Sequence, residues 1–164
     1  MSLGGYLVYQ VGLLTLPDPY TIQDVSHSNY AVKNELDNFP SIEGLRRAEF
    51  HARTVLVPMQ ELFGVDKIPL NSWNRNPAVN RGVGGSKTSN HMEGGATDVN
   101  HWALGMSSRG MFERIARSRI QFHTLICYHP DTVGSLHIDS QPGSNRRKLQ
   151  YRHADGVYRS TPWW

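Results

Sequence analysis

Two histidines and one aspartate stand in patterns that can hold a metal ion. His91 and Asp98 belong to the run Ser89-Asn90-His91-Met92-Glu93-Gly94-Gly95-Ala96-Thr97-Asp98, and His137 to Ser135-Leu136-His137-Ile138-Asp139. Two imidazoles and a carboxylate, the first two separated by a small-residue turn, can bind one catalytic zinc and leave a coordination position open for water. The chemistry such a set supports is hydrolysis, so a metallohydrolase is the leading reading. The chain has 8 histidines, and one taken at random more often packs or hydrogen-bonds than ligates. His91 and His137 are set apart by their patterned neighbours.

The elements that must position these groups can be read from local spacing. Gly94 and Gly95 allow a sharp reversal after His91, and residues 96–100 then alternate as a short strand with Ala96, Asp98 and Asn100 on one face. Asp98 can therefore point back toward His91. In the second segment Ser135, His137 and Asp139 alternate with Leu136 and Ile138, so the apolar pair enters a core while His137 faces a cleft. Two neighbouring strands would join all three ligands.

Upstream, the spacing predicts a helix over 42–63 with a kink or break at Pro58, its apolar face made by Leu45, Ala48, Ala52, Val55, Leu56 and Met59. A strand near 67–73 would lead into a loop bearing Arg75. A second helix is predicted over 108–119, with Met111, Ile115 and Ala116 inward and Arg109, Arg114 and Arg117 in solvent. Leu125-Ile126-Cys127-Tyr128 reads as a buried strand.

From Asn71-Ser72-Trp73-Asn74-Arg75-Asn76-Pro77-Ala78-Val79-Asn80, through Val83-Gly84-Gly85-Ser86-Lys87-Thr88, and into Ser89-x-His91-x-x-Gly94-x-Ala96-x-Asp98, the chain resembles a known family. This is the family of zinc D-Ala-D-Ala carboxypeptidases and L-Ala-D-Glu endopeptidases that cut peptidoglycan stem peptides, phage lysins among them. Residues 34–64 resemble its leading helical region, and Leu125-Ile126 with Leu136-His137-Ile138 its closing strands. The resemblance implies an α+β fold of the DD-peptidase/hedgehog-like kind, with helices packed against a small, mostly antiparallel sheet that carries the ligands. It also implies one zinc ion per chain held by His91, Asp98 and His137. Arg75 falls where the family has an arginine that holds a substrate carboxylate or carbonyl, a task suited to a guanidinium fork. The implied substrate is a short peptide with a D-residue at or beside the cleaved bond.

One position departs from the family pattern. The family carries a carboxylate as general base, either shortly before the second zinc histidine or on the preceding strand. Val133-Gly134-Ser135-Leu136 contains none, and Tyr128 stands at the expected place on the preceding strand. Four groups could take the proton instead. Asp131 lies in the turn His129-Pro130-Asp131-Thr132. Asp139 follows His137 on the same strand face, roughly 6 to 7 Å along. Tyr128 and His129 can also act in acid or base chemistry. The competing class is a protein that keeps the fold and the zinc but has lost hydrolysis and serves structure or virion assembly.

The chain has 164 residues, 38% hydrophobic and 19% charged, which suits one globular core. Its organisation reads as an N-terminal arm over 1–25, a zinc peptidase-like domain over 26–150 and an aromatic C-terminal tail over 151–164. The arm and the tail, the latter ending in Pro162-Trp163-Trp164, suit contacts in a virion or a homo-oligomer. A net charge of +3 favours an anionic cell wall, and charge alone is a weak argument for nucleic acid. Cys127 is the single cysteine, which excludes an internal disulfide and reads as a structural thiol. Residues 6–16 are too short a run to cross a bilayer, and no signal peptide is evident. The expected setting is the host cytoplasm before lysis, or a virion, with the cell wall as target.

Overall fold

The structure, a computed structural model, describes residues 14–130 and 134–160. Among them six strands form one sheet: β1 (Leu70–Ser72), β2 (Ala96–Val99), β3 (Thr124–Tyr128), β4 (Ser135–Asp139), β5 (Lys148–Arg152) and β6 (Tyr158–Ser160). Their spatial order is β1-β2-β4-β3-β5-β6. The fold is α+β, as the sequence implies. The sheet is mixed: β1–β2, β2–β4, β4–β3 and β5–β6 pair antiparallel, whereas β5 runs parallel to β3. The parallel pair arises because the chain leaves β4, crosses the end of the sheet and returns along the outer side of β3.

That crossing is fixed by Arg147. Its Nη2 donates to the carbonyls of Ala116 (2.8 Å) and Ser118 (3.0 Å), its Nη1 donates to the Ile120 carbonyl, and its guanidinium lies 4.6 Å from the Phe122 ring centre. The Ala116 and Ser118 carbonyls end a helix, where a cation meets both unpaired acceptors and the negative end of the helix dipole.

Six α-helices and one π-helical turn flank the sheet among the described residues. α1 (Ile22–Ser26) and α2 (Asn29–Lys33) are short, and each is capped by a hydroxyl, from Thr21 and Ser28. α3 (Ile42–His51) runs through a π-helical turn (Ala52–Leu56) into α4 (Val57–Phe63). The helix expected over 42–63 is thus continuous, and the irregularity precedes Pro58 instead of breaking the chain there. Proline lacks an N–H and its ring crowds the carbonyl four residues back; the wider π turn relieves both. The six apolar residues read on this face are all fully buried. α5 (Pro77–Gly82) follows, then α6 (Ser108–Arg117), which buries Met111, Phe112 and Ile115.

Sheet alternation divides the molecule. Leu125, Cys127, Leu136, Ile138 and Val99 point into the core against α3, the π turn and α6. Asp98, Tyr128, His137 and Asp139 line a cleft on the other side. The strand expected over 67–73 shrinks to β1: Pro69 cannot donate to a ladder, and the amides of Trp73 and Asn74 bond to the carbonyls of His27 and Val25.

The boundary drawn at residue 25 falls inside α1. Tyr20 and Val25 are buried in the main core, and the Tyr20 hydroxyl accepts the Ile68 amide. The boundary at 150 falls inside β5, and Tyr151 packs on the same core. The first 13 residues and the Pro162-Trp163-Trp164 end lie outside the described residues. None of the described helices is long and apolar enough to cross a membrane.

Candidate metal centre

Each potential ligand is placed by a different local device. Ser89 caps the 3₁₀ turn Asn90–Glu93, accepting the His91 amide, and Gly94 closes it at φ 75°. A side chain at Gly94 would put its Cβ 2.2 Å from the Gly44 carbonyl oxygen, so only glycine lets the turn seat against α3. The reversal leads into β2, where Asp98 pairs directly across from His137 of β4. Opposed residues of antiparallel strands hold their side chains side by side on one face.

Three donor atoms converge as a result. His91 Nε2 lies 3.2 Å from Asp98 Oδ1 and 3.2 Å from His137 Nδ1, and His137 Nδ1 lies 3.1 Å from Asp98 Oδ1. A tetrahedral zinc ion with bonds of about 2.0–2.2 Å separates its ligand atoms by about 3.3–3.5 Å, so this triangle needs only a slight expansion to accept one. The other nitrogen of each ring is engaged by an acceptor. His91 Nδ1 donates to the Trp73 carbonyl at 2.5 Å, and His137 Nε2 faces Asp139 Oδ2 at 3.5 Å. These acceptors select the tautomers that turn both lone pairs inward, as metal-ligating histidines require. The donor set fits zinc.

The supports reach well into the protein. Trp73 is fully buried, stacks edge-on against Tyr20, and donates its indole N–H to the Gly94 carbonyl at 2.9 Å. It therefore ties the core to both His91 and the turn after it. Asp139 also accepts the Thr124 amide at 2.8 Å. Arg75 donates Nη2 to Asp98 Oδ2 and Nε to Ser72 Oγ at 3.0 Å. Asp98 thereby offers one oxygen to the triangle and the other to a cation.

Titration follows from these contacts. Burial pushes the His91 imidazole down, with Asp98 partly opposing it. Burial works against charge on Asp98, but His91 and His137 outweigh it and hold the carboxyl well below its usual range. For His137 the desolvation is again outweighed, here by Asp139 and Asp98, which push it up to about 9. A cation entering the triangle displaces that proton.

Of the residues weighed for proton transfer, Tyr128 lines the cleft and Asp139 lies across the His137 ring from the triangle. Asp131 lies outside the described residues. His129 is exposed, at φ 49°, with its amide bonded to the Arg152 carbonyl. Cys127 is buried with its thiol 3.5 Å from Ser108 Oγ, as a structural thiol would be. Asp98 and Asp139 are the carboxylates among the described residues lining the cleft, whose volume is about 410 Å³. Burial, then Tyr158, raise the Tyr128 phenol well above its ordinary value, so it remains an O–H donor at neutral pH.

Sequence reasoning did not bring two cleft residues, Arg152 and Tyr158, to the site. Parallel pairing of β5 with β3 brings them in, and no hairpin turn joins those two strands to announce it. It also passed over Trp73 as the group that orients His91, since a backbone carbonyl leaves no trace in residue type.

Residues 20–139 match the family model described as peptidase M15. No curated protein matches the chain.

Proposed function

The chain belongs to the peptidase M15 family, a family of zinc peptidases, and on that premise we propose that it cleaves peptidoglycan stem peptides. The bond is of the D-Ala-D-Ala carboxypeptidase or L-Ala-D-Glu endopeptidase type, and the setting is cell-wall lysis by a phage or bacterium. What carries the reading is the convergence of His91 Nε2, Asp98 Oδ1 and His137 Nδ1 within 3.2 Å of one another, at the floor of an open cleft.

Zinc held there would supply a Lewis acid and make a water nucleophilic at neutral pH. The chain's own residues have separate tasks. The Trp73 carbonyl and Asp139 hold the two imidazoles in their ligating tautomers. Arg75 draws charge from the outer oxygen of Asp98 and stands close enough to steady a substrate carbonyl or carboxylate. Tyr128, kept as a phenol, donates a hydrogen bond to an oxygen that gains negative charge.

The second reading is a zinc-binding protein of the same fold with impaired hydrolysis, engaged in virion assembly through its two ends. The observation favouring it is the pairing of both described cleft carboxylates with histidines while Tyr128 stands where the family resemblance implies a carboxylate.

Purified peptidoglycan digested by the zinc-loaded protein, with product masses read by mass spectrometry, decides between them. Release of defined stem-peptide fragments, lost in His91→Ala, is the expected result and identifies the bond. Intact peptidoglycan alongside one bound zinc per chain would overturn the peptidase reading in favour of the second.

A further inference from the structure

The match to the family model ends at residue 139, yet the cleft does not. Its far wall is the hairpin of β5 and β6. The register sets Ser135, Tyr128, Arg152 and Tyr158 in one cross-strand row, because Tyr128 pairs with both Ser135 and Arg152, and Arg152 pairs with Tyr158. The Arg152 guanidinium carbon lies 5.8 Å from the Tyr128 ring centre and 5.1 Å from that of Tyr158. Its Nε donates to the Gly156 carbonyl at 3.2 Å.

The two arginines that line the cleft are differently engaged. Arg75 is committed to Asp98 and Ser72, and Asp98 and Asp139 are each held by histidines. Arg152 has no carboxylate partner among the described residues, whereas Arg75, the other arginine lining the cleft, is paired with Asp98. A guanidinium held against aromatic rings, its Nε satisfied and its Nη pair unclaimed by a carboxylate, is a fork for a planar anion.

We propose that Arg152 is a positioning residue that anchors a carboxylate of the substrate, making the preferred substrate an acidic peptide, with Tyr158 covering the anchored group. This rests on the reading of the cleft as a peptide site. β5 lies two strand spacings from β4, roughly 10 Å, so the anchored carboxylate sits on the order of three extended residues from the metal triangle.

The probes are a synthetic stem pentapeptide with free carboxylates and the same peptide with its glutamyl α-carboxyl and C-terminus amidated. Titration calorimetry on the full zinc-loaded chain should show the acid binding about 10- to 100-fold more tightly than the amide, the range expected for charge-assisted hydrogen bonds. Arg152→Gln should abolish that preference, binding both peptides as the wild type binds the amide, and Arg152→Lys should restore part of it. Where cleavage is measurable, Arg152→Gln should raise KM for the acid by the same factor while changing kcat little.

A wild type with no preference, or an Arg152→Gln variant that keeps it with an unchanged melting temperature, overturns the proposal. So does a wild type that binds neither peptide. Binding with the expected preference but no cleavage sinks the peptidase reading alone and leaves the anchor standing.

Discussion

The two walls of the cleft are built by opposite strategies. On the metal side His91 is 1% exposed, and every converging side chain is gripped by a further group: the Trp73 carbonyl, Asp139, Arg75. On the hairpin side Tyr158 is 45% exposed, and β6 is a three-residue edge strand on the surface. Arg152 there is steadied by two rings and one carbonyl. Metal coordination demands donor atoms placed to within a few tenths of an ångström, so that wall is over-determined. A wall that meets varied peptide groups gains from adjustable side chains. Rigidity is concentrated where the chemistry has least tolerance.

The largest effect expected from breaking this contrast is on the metal side. His137→Ala should reduce zinc from one ion per chain to nearly none by elemental analysis while the far-ultraviolet circular dichroism stays unchanged, because a two-ligand site loses the geometry that holds the ion. A variant that retained stoichiometric zinc would remove His137 from the site. Next in size is Trp73→Ala, which empties a fully buried indole volume and frees the Gly94 carbonyl. Urea denaturation should show a loss of about 3–5 kcal/mol. A loss under about 1 kcal/mol, the scale of a surface change, would mean that the metal wall is not braced by the core.

How much of this architecture the sequence reveals depends on the range of the interactions. The turn after His91 and the alternation of β2 and β4 are local: Gly94 and Gly95 announce the reversal, and Asp98 and His137 sit among apolar residues at a period of two. The apolar face of α3 and α4 is equally local, and its six buried residues follow from helical spacing. The π turn is not, because a proline in a helical pattern signals a disturbance without saying how the backbone absorbs it. β5 is hidden for another reason. Its parallel partner β3 lies across an intervening strand and a crossing loop, and Arg147, which fixes that crossing, looks in sequence like part of a basic cluster. A boundary at 150 follows from composition and cuts the strand that carries Arg152. The contact of Asp139 with the His137 ring lies between these extremes: the two-residue spacing gives the shared face, and only the folded side chains give the partner.

A third test compares the buried frame of the metal wall with water. His51 is fully buried between Ser140 Oγ (2.8 Å) and Thr97 Oγ1 (3.1 Å), and burial pushes its imidazole down to about 3. An unfolded histidine titrates near 6.5, so between these values the unfolded chain binds a proton that the native chain refuses. The folded pKa is the lower one, so stability is full above about pH 6.5 and falls as pH drops toward 3. Relative to His51→Gln, the wild type should lose about 2 kcal/mol between pH 7.5 and pH 5, measured as a difference of urea midpoints at constant m-value. Equal pH dependence in the two proteins would mean that His51 accepts a proton in place.

The smallest effect belongs to the hairpin wall. Tyr158→Ala removes an exposed ring whose contacts are with Tyr128 and Arg152 and not with the core, so its cost in urea denaturation should stay within about 0.5 kcal/mol. Zinc content should be untouched, because no group that orients His91, Asp98 or His137 lies on β6. A loss of 2 kcal/mol or more, or a fall in bound zinc, would show that the hairpin is a structural brace for the metal side and would dissolve the distinction between a rigid wall and an adjustable one.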